Sequence, residues 1–209
     1  NLLNFKIINF FIIFLFSFLI NIYYAKFGIF PIDTFLHYDS GYRILNNEYP
    51  VRDYWIVSSF IVDFIQALFF KIFGVNWYAY TFHSSLFNAV VTLFAYYFFL
   101  SLGINKTKSF IYTICFSTLA YTVSGTPFVD HHATFFSLIA TFTIIKNFSL
   151  NNRYLWFLIV ILFFLAFLSK QVPTSYIIIL QSIIVSTFLF KKKYFQSFKL
   201  IILSFLICL

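Results

Sequence analysis

"WIVSSFIVDFIQALFFKIFG" runs from Trp55 to Gly74, and whether it crosses a membrane decides the fold of the chain. Its length suits a span, for which about 20 residues suffice. It also carries Ser59, Asp63 and Gln66, four and three residues apart and so on one face of a helix. A charged group at mid-bilayer costs roughly 2.5–3.5 kcal/mol. That cost favours a helix lying in the membrane interface over one that spans.

The flanking lysines weigh the same way. Apolar runs extend over Phe5–Ala25, Tyr78–Leu100, Phe110–Thr126, Ala133–Ile145, Tyr154–Leu168 and Pro173–Phe190, and a last one opens near Leu200. If Trp55–Gly74 does not cross, Lys106, Lys108, Lys146, Arg153, Lys191, Lys192 and Lys193 fall on the side of Lys6 and the N-terminus. By the positive-inside rule that side is the cytoplasm. If the segment crosses, all these clusters move outside. The non-crossing arrangement is therefore expected. It puts "FPIDTFLHYDSGYRILNNEYPVRDYW" (Phe30–Trp55), "PFVDHH" and "SKQ" on the non-cytoplasmic face, with five of the six acidic residues. Asp63 is expected to face the same side from its interfacial helix. The sequons at Asn105 and Asn147 fall on the cytoplasmic side and carry no reading.

Composition agrees with a membrane chain. The 209 residues are 62% hydrophobic, 25% aromatic and 10% charged, where soluble domains are about 25% charged. The expected class is all-α: a polytopic membrane helical bundle, one transmembrane domain over residues 1–209 with external juxtamembrane helices over about 26–76. The net charge of +8 sits in short lysine clusters between apolar runs, so no nucleic-acid partner is expected. Cys115 and Cys208 lie in apolar segments and offer neither a disulfide framework nor metal spacing. The chain begins at Asn1, and "KLIILSFLICL" (Lys199–Leu209) stops inside a span; a fragment truncated at its C-terminus is expected. The first apolar run lacks a small-residue cleavage site and reads as a span rather than a signal peptide. Tyr54, Trp55, Trp77 and Tyr78 sit where an interfacial aromatic belt would.

The external groups set the chemistry. Asp33 follows the first span behind the turn-forming Pro31. Either it caps a short surface helix, or it is a general base at a water–lipid boundary, where desolvation raises a carboxylate's pKa. Asp130, His131 and His132 form a second cluster after Pro127. They read either as a solvated turn or, with Asp33, as a site for a divalent cation such as Mg or Mn held by Asp33, Asp130 and His131. His37, four residues after Asp33, shares its face if that stretch is helical. Lys170, in "LSKQVPTS", is an external cation against the positive-inside trend. It either snorkels to headgroups or contacts a phosphate. Arg43 and Arg52 can do the same from the loop, and Gln171 can donate a hydrogen bond. His83, near Asn88, reads as an interhelical hydrogen-bonding residue.

This layout resembles the GT-C membrane glycosyltransferases, among them the protein O-mannosyltransferases and lipid A aminoarabinose transferases. Their shared module is a span, an external loop with two juxtamembrane helices, then further spans; an essential Asp follows the first span, and a second acidic motif lies in the next external loop. Asp33 and Asp130 match these by position. "GYRILNNEYPVRDYW", followed by "FIQALFFKIFG", and "LAFLSKQVP" resemble segments of bacterial members. The chain departs from the pattern in carrying Asp-His at the second motif, and Asp39 competes with Asp33 as the loop's key acid.

The resemblance implies a multi-pass protein of the bacterial inner (plasma) membrane, active on the outer face in cell-envelope glycosylation. It implies a polyprenyl-phosphate sugar donor, surrounding membrane lipids, and an acceptor that is a glycan, lipid or protein. Asp33 would deprotonate the acceptor with Asp130 beside it, and Lys170, Gln171, Arg43, Arg52, Asp39 and His131 would contact substrate. Two other classes remain open. A transporter or flippase of lipid-linked sugars would line its spans with ionisable groups. A non-catalytic accessory subunit would scatter its acids over open surface.

Overall fold

The computed structural model describes residues 2–27, 33–56 and 60–208, with side chains over 8–27, 33–56 and 60–206. The expectations that rest on Lys6, Pro31, Ser59 and the Cys208 side chain lie outside the described residues. Those residues are helical apart from turns, and the one strand-like feature among them is a single bridge between Pro50 and Tyr54. The helices are α1 (Leu2–Tyr24), α2 (Leu36–Leu45), α3 (Ile61–Phe73), α4 (Trp77–Ser101), α5 (Lys106–Leu119), α6 (Val129–Leu150), α7 (Arg153–Ser169), α8 (Gln171–Lys191) and α9 (Phe195–Cys208). A 3-10 turn covers Tyr121–Val123.

Among the residues whose side chains are described, three helices, α4, α6 and α8, are long and apolar enough to cross a membrane. Shorter apolar stretches are Ile8–Tyr24, Arg153–Ser169 and Phe195–Leu206. The segment that decides the topology starts later than its hydropathy suggests. α3 has 13 residues, so at 1.5 Å per residue it is about 20 Å long, against a hydrocarbon core of about 30 Å. α3 is thus shorter than that core is thick. Gly74, at φ +81, ends it, and the Asn76 side chain then caps α4 by accepting from Ala79 N–H at 2.9 Å. Asn105 and Asn152 cap α5 and α7 in the same way.

Two expected segments have different bounds. Phe110–Thr126 is not one continuous helix: α5 ends at Leu119, and the chain turns through Tyr121–Val123. Conversely, α6 starts at Val129 rather than Ala133. Asp130, His131 and His132 therefore lie in its first turn and not in a connector. An acid in that first turn is favoured by the helix dipole.

The chain packs as two compact units, Asn1–His131 and His132–Leu209. In the first, α1 lies against α4 and α5, and α2 pairs with α3, which also meets α4. Lipid gives helices no hydrophobic reason to associate, so polar bonds and small residues carry the packing. Asn88 of α4 donates to the Ser17 carbonyl at 2.8 Å and to the Ser117 carbonyl at 3.2 Å, and accepts from Tyr121 N–H at 3.3 Å. Asn21 of α1 donates to the Ser84 and Ser85 hydroxyls and to the Gly125 carbonyl. Both asparagines are fully buried. Gly125 is held at φ +68, and a Cβ there would stand 2.7 Å from the Ala25 Cα.

In the second unit, α7 packs on α8 and α9. Gln181 reaches Thr141 at 3.3 Å and Phe148 stacks near Phe188 at 4.3 Å, which ties α6 to α8. The α6–α7 corner is closed by Asn147, whose amide bonds both backbone groups of Asn152. That sequon asparagine is thus a buried structural residue.

Gly103 (φ +79) has nothing within 4 Å of a built Cβ, unlike Gly125. Gly103→Ala is therefore expected to lose about 1–2 kcal/mol, the cost of a left-handed conformation alone. Gly125→Ala must also displace the α1 backbone and is expected to unfold at a clearly lower temperature. Thermal unfolding of the two variants in detergent checks this.

Candidate functional site

The loop between α1 and α4 is built by two short helices and a tight turn. α2 approaches α3 closely because Gly41 has no side chain: a Cβ there would be 2.9 Å from the Gln66 Cγ. Across this contact the His37 Nδ1 lies 2.6 Å from the Asp63 Oδ1. His37 is 1% exposed and Asp63 3%. Burial pushes the Asp63 carboxyl above its ordinary pKa, and the bond to His37 opposes that shift. One turn further along α3, the Gln66 Oε1 lies 2.9 Å from the His83 Nδ1 of α4, and Phe69 stacks on the His83 ring. His83 is thus an interhelical hydrogen-bonding residue, as expected, with Gln66 as its partner.

The charges exposed on this loop are mostly paired. The Arg43 Nε donates to Asp39 at 2.7 Å and its Nη1 to Glu48 at 3.0 Å, with the guanidinium over the Tyr54 ring. Arg52 donates to Asp53 through its Nη2 at 2.6 Å and lies over Tyr49. Tyr49 N–H donates to the Asp53 carboxylate, and Val51 N–H to the Tyr54 carbonyl, closing the turn. The hydrogen bonds from Arg52 and from Tyr49 N–H hold the Asp53 carboxyl below its usual range. Asp39, Glu48 and Asp53 are therefore committed to arginines, and Arg43 and Arg52 to carboxylates.

Asp33 is different. It is exposed, in the turn before α2, and no ion pair joins it to a described residue. The N-cap of α2 is Phe35, with no side-chain capping bond; Asp33 lies two residues outside the cap. Asp33 and His37 do not share a helical face, because α2 begins at Leu36 and His37 points inward to Asp63. The residue after Asp33 is held firmly: the Thr34 carbonyl accepts from the Tyr80 hydroxyl of α4 at 2.5 Å, and Thr34 is buried.

The second motif lies near the first. His37 is edge-on to Phe128 at 6.5 Å between ring centroids. Phe128 is 5.8 Å from His131, whose ring stacks on Tyr121 at 4.8 Å. The start of α6, with Asp130 half-buried in its first turn, thus meets α2 through Phe128. Among the described residues no three His, Cys, Asp or Glu side chains converge as a cation site requires. Asp33, Asp130 and His131 form no such group among the described residues.

Lys170 and Gln171 lie in the second unit, at the α7–α8 corner, with Lys170 half-buried in extended conformation (φ −158). On either side in sequence, Phe167, Leu168 and Ser175 line an apolar cavity of about 250 Å³ walled also by Val160, Phe163 and Phe205. Of the aromatics expected in a belt, Trp55 and Tyr78 are exposed, while Trp77 packs against Phe35 and Tyr80.

The sequence reading missed the His37–Asp63 pair and the Tyr80–Thr34 bond. A signal for half of the pair existed: Asp63, inside an apolar run, needs a partner. Nothing in the spacing linked residues 26 positions apart.

The raised Asp63 pKa has a testable sign. Folding favours the protonated acid, so its contribution is full below the unfolded pKa of about 3.9. It is lost as pH rises through the folded value. Asp63→Asn keeps an oxygen for His37 but cannot ionise. The stability of the wild type relative to this variant is expected to fall as pH rises above about 4 and to level at higher pH, in denaturant titrations across that range.

No protein-family model matches the chain, nor does any curated protein or solved structure.

Proposed function

We propose that the protein is a GT-C-type membrane glycosyltransferase that uses Asp33 as general base with a polyprenyl-phosphate sugar donor. The observation that carries this reading is the sorting of the loop's acids. Asp39, Glu48 and Asp53 are engaged by arginines and Asp63 is buried against His37. Asp33 alone among them is exposed and outside those pairs, beside a backbone carbonyl held by Tyr80.

In this reading the Asp33 carboxylate takes the proton of an acceptor hydroxyl. The freed oxygen attacks the anomeric carbon from the face opposite the phosphate. The bond between that carbon and the phosphate oxygen breaks, the configuration inverts, and polyprenyl phosphate departs with the electron pair. A cation that meets the developing phosphate charge lowers the barrier. The resemblance gives that role to Lys170 or to an arginine, Arg43 or Arg52, with Gln171 as a hydrogen-bond donor. The apolar cavity between α7 and α8 suits part of an isoprenoid tail. Asp130 and His131 contact the sugar or the acceptor. The module sits in the bacterial inner membrane with Asp33 on the outer face.

Release of polyprenyl phosphate from a panel of polyprenyl-phosphate sugars, including the mannose and aminoarabinose forms, tests the reading in proteoliposomes. Asp33→Asn is expected to lower turnover by about 100-fold or more, and Asp39→Asn by far less. Full turnover in Asp33→Asn removes Asp33 as the base. Lys170→Ala is expected to cost about 100-fold in kcat; an unaltered kcat would mean that Lys170 merely snorkels. In the same assay, loss of transfer in EDTA, restored by Mg or Mn, would assign Asp33, Asp130 and His131 to a cation.

A further inference from the structure

We propose that His37, Asp63 and Tyr80 are positioning residues that hold the Asp33 turn in its working place. This rests on Asp33 being the base, and it concerns groups that substrate does not touch. His37 is 1% exposed and Asp63 3%, so neither reaches an acceptor or a sugar. The His37 Nε2 is buried with no hydrogen-bond partner among the described residues. A buried polar pair with an orphaned ring nitrogen is a poor way to gain stability, since apolar residues of the same shape often do as well. What such a pair supplies is direction. A ring held through Nδ1 by a carboxylate has one orientation.

That orientation bears on Asp33 through a short chain. His37 lies in the first turn of α2, four residues after Asp33. Its bond to Asp63 sets the rotation of α2 on α3, which the close contact at Gly41 then locks. Between them, the Thr34 carbonyl is tied to Tyr80 on the long helix α4. The two anchors come from different helices and fall within four residues of Asp33. The base is thus carried on a backbone fixed to the scaffold, although its own side chain stands in the open. Catalytic geometry of this kind depends on supporting groups, and a displacement of about 1 Å costs on the order of 100-fold.

The test compares Asp63→Ala, Asp63→Asn and Tyr80→Phe with Asp33→Asn. It uses the polyprenyl-phosphate sugar that the wild type turns over, and amide hydrogen exchange over residues 34–45. Asp63→Asn keeps an oxygen for the His37 N–H and is expected to stay within about threefold of wild-type kcat. Asp63→Ala is expected to lose at least about tenfold in kcat with donor KM unchanged, and to exchange faster over 34–45. Tyr80→Phe keeps the ring among Tyr38, Phe70 and Trp77 and removes only the hydroxyl; it is expected to lose kcat without losing thermal stability, and it decides the matter if Asp63→Ala does not fold. Wild-type kcat in Asp63→Ala or in Tyr80→Phe, with Asp33→Asn inactive, overturns the positioning role alone. Equal losses in Asp63→Asn and Asp63→Ala overturn it too. Full activity in Asp33→Asn overturns the base itself. The exchange data then still show whether Asp63 fixes the segment.

Discussion

The seating of α2 on α3 turns on one buried contact, the 2.6 Å bond between His37 and Asp63. Two short helices cannot stand alone in water or at a membrane surface, because a helix of 10 residues gains too little from its own hydrogen bonds. α2 and α3 persist because they bury a face against each other. Asp63 cannot be buried without a partner, so the pair sets which residues face inward. His37 supplies the partner, Gly41 lets the helices close, and Gln66 carries the contact on to His83 in α4. The arginine pairs outside are a consequence: with α2 rotated so that His37 points in, Asp39 and Arg43 point out, four residues apart on the exposed face.

The same logic runs through the long helices. Asn21 and Asn88 each satisfy groups on other segments, among small residues such as Ser84, Ser85 and Ser117. In an apolar solvent such bonds choose partners where hydrophobicity cannot. Small polar residues and glycine permit the close approaches, as at Gly125 against Ala25. The second unit uses asparagines again, but at its corner: Asn151 accepts from the Trp156 indole and from the Ser197 hydroxyl, linking the start of α7 to α9.

What could be read in advance follows from which interactions are local. α4 was legible almost to the residue, because Asn76 caps it and Gly103 closes the turn beyond it. A helix within Trp55–Gly74 was legible from its apolar run; its bounds at Ile61 and Phe73 were not. The helical setting of Asp130 was obscured because polar Asp-His-His after a proline looks like a turn; the dipole of α6 makes it a helix start instead. The pairing of His37 with Asp63 was hidden, since it joins residues on separate helices and no local pattern encodes it. The exposure of Asp33 agrees with the reading of it as a surface acid. Its independence from the α2 cap came only with the backbone, which places the cap at Phe35.

If the α2–α3 hairpin lies on one membrane surface, the acidic loop and the start of α4 share a side. Single cysteines at Trp55 and Val75, both exposed and flanking α3, and at Thr107, can be placed in a chain lacking Cys115 and Cys208. Labelling intact cells with a membrane-impermeant maleimide then reads their sides. The account predicts that positions 55 and 75 react from outside and that 107 reacts only after permeabilisation. Positions 55 and 75 reacting from opposite sides would mean that α3 crosses the membrane, and would contradict the account.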